Sequence, residues 1–462
     1  MGMLIDSHAH LNFKEYNPDE ISQILDRARE QGVDTFINIG GGEGYEGNIK
    51  AIEIAELFPH VYATVGIHPH DASIVTDAMV EDLRKLTENS KVVAIGEVGL
   101  DFFYNHSNPE VQEEAFRKMI HLAREVRLPL SIHVRDAYDR LYQIMEEEKA
   151  FECGGVIHCF SGDWEFAQKM MDQKFYLSFS GIITFKKSTD LREVVRKTPT
   201  EYILIETDSP YLTPEPFRGK KNEPAFVRKV AEKIAEIKGL SLDDVARVTT
   251  LNARRLFRLG GVEQEVKIAY WIRNSLYLNI TNVCTLACVF CPKFSTFEVK
   301  GHYLRLPKAP GFDEVLKAMG DFSKADEIVF CGFGESTQRL DLLKQLAAFA
   351  HEKGKKVRLD TDGLGNLIHG RDILPELQGL VDAMSVSLNA PDAETYAKIC
   401  PNRFKEKAYP YVKEFIREAP RYIPDVTASV VGMPGVDVEA CRKIVEEELK
   451  VKFRLREYNH VG

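Results

Sequence analysis

Leu4-Ile5-Asp6-Ser7-His8-Ala9-His10 joins a short apolar run to a pair of histidines. Residues 4–6 read as a strand, so His8 and His10 fall where that strand gives way to a loop. Side chains two apart on an extended chain point the same way. Two imidazoles aimed into one space supply half of a divalent metal site, neutral histidine nitrogen being the commonest protein ligand for such ions. A lone pair of this kind is more often just a hydrogen-bonded loop pair. The question is whether the sequence beyond it supplies the missing ligands.

Seven further strand-like runs follow, at residues 35–39, 61–67, 92–97, 130–134, 156–159, 176–180 and 202–206, with amphipathic helical patterns between them at, for example, 21–31, 111–126 and 163–173. Eight strand–helix units predict an α/β fold, a TIM-like (β/α)8 barrel whose active site lies at the C-terminal ends of its strands. Glu97 ends the fourth run, His133 the fifth and His158 the sixth, and Asp208 follows the eighth. With His8 and His10 they fall at one end of the barrel. Any one of the six reads as an ordinary polar residue at a strand terminus. Six together do not, because unpaired charge and imidazole are costly to bury without metal or partners. Four histidines and two carboxylates are enough for two divalent ions if one carboxylate bridges them, and Glu97, midway in strand order, could do so. Two adjacent ions suit phosphodiester hydrolysis, and equally amide or ester hydrolysis.

Six motifs in order, Asp6-Ser7-His8-Ala9-His10, Gly66-Ile67-His68-Pro69-His70, Gly96-Glu97-Val98-Gly99-Leu100-Asp101, His133-Val134-Arg135, His158-Cys159-Phe160-Ser161-Gly162 and Glu206-Thr207-Asp208-Ser209-Pro210-Tyr211-Leu212, resemble the TatD family of metal-dependent deoxyribonucleases. The resemblance covers nearly all of residues 3–258. It implies a metallo-dependent hydrolase barrel with two or three divalent ions, usually Mg2+, with Mn2+ or Zn2+ as alternatives. It places His8, His10, Glu97 and Asp208 on one ion and Glu97, His133 and His158 on the other. Asp208 would also take the proton of the attacking water, making Asp208 and Glu97 the catalytic pair. His68, Arg135 and Arg218 would hold the substrate phosphate, and Glu206 would support a ligand rather than be one. The implied activity is 3'-5' exonucleolytic deoxyribonuclease, on DNA with single-stranded ends. Helical patterns at 224–238 and 242–257 complete this domain, residues 1–260. A linker begins near Gly260-Gly261.

The second domain, residues 268–462, turns on a strand-like run at 276–283 that leads straight into Cys284-x3-Cys288-x2-Cys291. Three thiolates so close can hold three irons of a [4Fe-4S] cluster and leave one iron open. A zinc site with a distant fourth ligand, or three unrelated thiols, would be the alternatives. The triad directly after a first strand, with Phe290 before the third cysteine, resembles the radical S-adenosylmethionine superfamily. Cys331-Gly332-Phe333-Gly334-Glu335 follows the next strand-like run, where that superfamily holds the methionyl amino group. The resemblance therefore implies a cofactor site at Phe290, Gly332, Phe333, Gly334 and Glu335. Further strand-like runs at 357–360, 384–388, 426–431 and 453–458, with helical patterns at 313–322, 340–353 and 438–449, bring the count to six and suit that superfamily's partial (β/α)6 barrel. Cys331, Cys400 and Cys441 show no ligand spacing and read as packed thiols. This half resembles the small radical proteins encoded beside TatD nucleases, here fused to one.

The remaining composition is that of an ordinary globular protein of 462 residues with a formal charge of −10, which argues against a sequence-independent coat over nucleic acid. No apolar run has the length of a membrane span, and no basic segment with an apolar core and cleavage site heads the chain. The expectation is a cytoplasmic protein with no membrane partner, its eight cysteines reduced. Three hypotheses follow. One is a bifunctional enzyme, nuclease plus radical enzyme of unknown substrate. Another is a hydrolase of small phosphoesters or modified nucleosides coupled to the radical step. The third is a hydrolase carrying a noncatalytic iron–sulfur binding or sensing module, for which Gly332-Phe333-Gly334-Glu335 would have no use.

Overall fold

A computed structural model describes residues 3–458 except 15, 17, 105 and 261–264. The chain divides into two compact units, Met1–Val262 and Glu263–Gly462. Gly261, in the expected linker, lies outside the described residues.

In the first unit, strands β1 (Leu4–Ala9), β2 (Val33–Ile39), β3 (Val61–Val65), β4 (Val92–Asp101), β5 (Leu130–Arg135), β6 (Gly155–Ile157), β7 (Tyr176–Phe179) and β8 (Ile203–Ile205) pair in sequence order, all parallel. The ring closes through the loop after β8: Ala9 bridges Ser209, Asp208 donates its N–H to the His8 carbonyl and His10 donates its own to the Ser209 carbonyl. This is the expected (β/α)8 architecture. All six residues of β1 and all ten of β4 are buried, as strands covered on both faces must be. Helices such as Pro109–Val126 and Leu242–Phe257 lie between or after the strands. Pro109 opens the first of these, and Ser241 caps the second, accepting from the Asp244 N–H while Asp244 accepts from Ser241.

Four strand ends differ from the sequence reading and matter for chemistry. The fourth run does not stop at Glu97 but continues to Asp101, and His133 also lies inside its strand. His158 and Glu206 fall one residue beyond β6 and β8. Gly99 permits the long β4: a Cβ there would stand 2.0 Å from the His133 carbonyl oxygen, and its φ is +142°.

The second unit holds β9 (Ala269–Ile272), β10 (Ser275–Leu278), a small ribbon of β11 (Glu298–Val299) and β12 (His302–Tyr303), then β13 (Glu327–Phe330), β14 (Lys356–Thr361), β15 (Ala383–Ser387), β16 (Asp425–Gly432) and β17 (Lys452–Glu457). The main sheet runs β17-β16-β15-β14-β13-β10-β9. Its six parallel strands are the six expected; antiparallel β9 is an addition, pairing with β10 along the whole of both. The helix expected at 438–449 runs Val438–Lys443 and continues as a π turn, Ile444–Glu448.

Candidate metal centre and cysteine site

At the C-terminal end of the first barrel, β1 sets His8 and His10 side by side, with their Nε2 atoms 3.3 Å apart. Asp6 fixes that arrangement. Its carboxylate, fully buried, accepts from the Thr207 N–H at 2.9 Å, the Thr207 hydroxyl at 2.6 Å and the His8 N–H at 3.3 Å, tying β1 to the loop that carries Asp208. Burial pushes its pKa up to about 8 against the pull of those donors.

Glu97 stands between two groups of donors. Its Oε1 lies 2.6 Å from His158 Nε2, 2.9 Å from His133 Nδ1 and 3.4 Å from His68 Nε2. Its Oε2 lies 3.5 Å from His8 Nε2 and 3.7 Å from His10 Nε2. Asp208 Oδ1 is 3.3 Å from His10 Nε2 and 3.7 Å from His8 Nε2. Burial alone would raise Glu97, but His158, His68 and His133 outweigh it and hold the carboxyl well below its usual range. Burial pushes His68 down to about 4, so this imidazole is neutral near pH 7.

The donor set fits divalent ions. Atoms bound to one ion at 2.0–2.2 Å stand about 3.0–3.5 Å from each other, close to the spacing of His8, His10, Glu97 and Asp208. His8, His10 and Glu97 form one group with all ligand atoms within 4.8 Å of one another, His68, Glu97 and His133 a second, and His8, His158 and Glu206 a third. The six expected ligands are thus brought together, and His68 joins them. Glu206 accepts from the Cys159 N–H at 2.7 Å and lies 3.3 Å from His158 Nδ1, which orients that ring.

Sequence reasoning missed Asp101. Almost wholly buried, its Oδ2 lies 2.9 Å from His70 Nε2 and 3.1 Å from His133 Nε2, so it fixes the face that His133 turns to Glu97. The signal was its position four residues after Glu97 in a motif whose continuation as a strand went unread. Arg135 and Arg218 do not touch the histidine cluster. The Arg135 guanidinium lies 4.0 Å from the Phe103 ring centre and 4.7 Å from that of Tyr104, and Arg218 lies 4.1 Å from that of Phe185 while donating to the Thr213 carbonyl.

In the second unit Cys284, Cys288, Cys291, Phe290 and the turn 331–335 line one cavity of about 320 Å3. Burial raises the Cys284 and Cys291 thiols above their ordinary range, and at Cys288 the adjacent Cys400 does so first, with burial adding to it. Thiols raised in this way are poor lone nucleophiles and suit ligation, where a metal supplies positive charge; at Cys291 the nearby Lys293 and Arg456 act against burial. Gly334 lets the turn close: a Cβ there would lie 2.2 Å from the Thr281 carbonyl oxygen. Glu335 is buried, and its carboxylate accepts from Thr337 N–H and hydroxyl, the Thr361 hydroxyl and the Asp362 N–H at 2.7–3.0 Å. It therefore braces the turn against β14. Cys400, read from sequence as a packed thiol, is fully buried and has its Sγ 3.4 Å from that of Cys288. The loop around it meets the cysteine loop through Ala287 N–H to Pro401 O and Val289 N–H to Ile399 O.

A family model described as TatD related DNase matches residues 5–258, and one for the Radical SAM superfamily matches 278–447. The uncharacterized metal-dependent hydrolase YabD of Bacillus subtilis is 44% identical over 257 residues, 56% of this chain and all of that protein. The 3'-5' ssDNA/RNA exonuclease TatD of Salmonella typhimurium is 33% identical over 262 residues, 55% of this chain and 99% of that protein. The crystal structure of YJJV, a TatD homologue from Escherichia coli K12, superimposes with a TM-score of 0.53 at 29% identity, covering 56% of this chain and 98% of its own.

Proposed function

Because the chain belongs to the TatD related DNase family through residues 5–258 and carries a radical S-adenosylmethionine domain at 278–447, we propose that it is a bifunctional enzyme: a 3'-5' exonuclease on single-stranded DNA ends joined to a radical enzyme. It is a metal-dependent hydrolase at the coarser level, and the phosphodiester substrate is our reading. The observation that carries it is the position of Glu97, one carboxylate oxygen toward His8 and His10 and the other toward His133 and His158.

His8, His10, Glu97 and Asp208 would hold one divalent ion, and Glu97, His133 and His158 the other. Such ions, once bound, neutralise phosphate charge and make water more acidic. Asp208 accepts the proton of the attacking water, its carboxyl held below its usual range by His10, His8 and His158 against the opposing effect of burial. His68, neutral at pH 7, offers a hydrogen bond to the phosphate, and Arg135 and Arg218 offer charge.

Support for a polynucleotide over a small phosphoester comes from Phe103 and Tyr104, 54% and 51% exposed beneath Arg135. The Tyr104 ring lies 5.5 Å from that of His70, which abuts Asp101, so this surface adjoins the cluster. Exposed rings stack with unpaired bases while a guanidinium meets the backbone.

In the second half Cys284, Cys288 and Cys291 would ligate three irons of a [4Fe-4S] cluster, with S-adenosylmethionine beside the turn 332–335. The eight free cysteines suit a reducing cytoplasm. The test of the nuclease half is a 5′-labelled single-stranded oligonucleotide with Mg2+ or Mn2+. A ladder shortening from the 3′ end is expected; intact DNA alongside hydrolysis of p-nitrophenyl phosphate would favour the small-phosphoester reading instead.

A further inference from the structure

The inner face of the second sheet carries alternate residues into the cavity shared with the cysteine triad, among them Arg358 on β14 and Arg454 and Arg456 on the edge strand β17. The three arginines differ in their pairing. Arg358 Nη1 donates to Asp360 at 2.6 Å, and its other nitrogens reach Glu327 at 3.1–3.3 Å. Arg454 and Arg456 have no ion-pair partner among the described residues and are exposed. The acids on the same wall are engaged elsewhere: Asp360 by Arg358, Glu335 by its four donors, and Asp362 by Leu364 N–H and the Thr285 hydroxyl.

Two residues apart on a strand, Arg454 and Arg456 present their side chains on one face with Cα atoms roughly 7 Å apart. Long guanidinium side chains on that spacing converge readily on one small group. Two unneutralised charges at the edge of a cavity attract an anion, and a group carrying two negative charges balances both where one carboxylate would leave one over. A phosphate also matches the guanidinium fork with paired oxygens.

We propose that Arg454 and Arg456 form the anchoring site for the radical domain's substrate, and that this substrate carries a dianionic group, a phosphomonoester. Its assignment as a substrate site rests on the radical-enzyme reading above; the anion site itself does not. A dicarboxylate would present the same charge, and the carboxylate of S-adenosylmethionine is the competing ligand for the pair.

The experiment uses the full chain after anaerobic cluster reconstitution, as parent and as the Arg454→Gln/Arg456→Gln double variant. Equilibrium dialysis measures binding of phenylphosphonate, a non-hydrolysable dianion, of succinate, and of S-adenosylmethionine. Both preparations carry the same hydrolase half, so the difference between them reports on the arginine pair. The expected result is a loss of phenylphosphonate affinity of about tenfold or more, with iron content and S-adenosylmethionine affinity within about threefold of the parent, and with succinate bound more weakly than phenylphosphonate by the parent. Unchanged phenylphosphonate binding overturns the proposal. So does a loss confined to S-adenosylmethionine, which assigns the pair to the cofactor, and succinate binding tighter than phenylphosphonate overturns the phosphate. A parent that binds no S-adenosylmethionine yet loses phenylphosphonate through the substitutions would instead refute the radical-enzyme reading and leave the anion site standing.

Discussion

Glu97→Gln isolates the bridging role, because it preserves volume and changes only charge and one oxygen. One Glu97 oxygen lies 2.6 and 2.9 Å from His158 and His133, the other 3.5 Å from His8. An amide must turn its NH2 toward one of these groups, where a donor replaces an acceptor, and it brings no charge to either. A charge-assisted contact is worth about 1.5–3 kcal/mol, so a residue serving two ions should lose about 3–6 kcal/mol, roughly two to four orders of magnitude in metal-dependent rate. His10→Ala disturbs one group only and should cost about one to two orders of magnitude. The assay pairs metal content per chain, by mass spectrometry of the desalted protein, with the rate of bis-p-nitrophenyl phosphate hydrolysis at fixed Mg2+. Parent metal stoichiometry in Glu97→Gln, or a rate no lower than that of His10→Ala, would refute the bridge.

Asp208→Asn should keep much of its metal but slow hydrolysis about a hundredfold or more, since an amide cannot accept the proton; parent turnover would remove the base role. Asp101→Asn should lower metal content less than His133→Ala while reducing the rate about ten- to a hundredfold, as expected of a group that orients a ligand, and the check is the same paired assay. Cys288→Ala should lose the cluster's iron, whereas Cys400→Ala should retain it, read by iron content and the visible absorption of the reconstituted protein. Glu335→Ala removes four hydrogen bonds from a buried turn and should lower the melting temperature of the second unit as well as S-adenosylmethionine affinity by about tenfold or more. Weaker cofactor binding without any change in melting would show that the carboxylate does not brace the turn.

The barrel cluster was legible because a strand period of two and a rule about strand ends suffice to gather His8, His10, Glu97, His133, His158 and Asp208 from five separate segments. Asp101 was not, because Val98-Gly99-Leu100 reads as the start of a loop. Its pairing with β5, from Val98 opposite Ile132 to Asp101 opposite Arg135, a tertiary fact, keeps that segment in the sheet. Cys400 lies 112 residues from Cys288, and no spacing rule spans such a separation. The edge strand β9 was likewise invisible, its four residues gaining definition only from β10. Nothing in the strand-like run at 453–458 singles out Arg454 and Arg456; their meaning depends on Arg358 having ion-pair partners while they have none among the described residues.

The most direct test of two chemistries held by two separate residue sets is one preparation assayed twice. Reconstituted full chain, Glu97→Ala and Cys288→Ala would each be measured for 3′-end degradation of single-stranded DNA with Mg2+ and for 5′-deoxyadenosine released from S-adenosylmethionine with dithionite. The account predicts that Glu97→Ala loses only the first activity and Cys288→Ala only the second. Loss of both activities in either variant, or 5′-deoxyadenosine formation surviving Cys288→Ala, would contradict it.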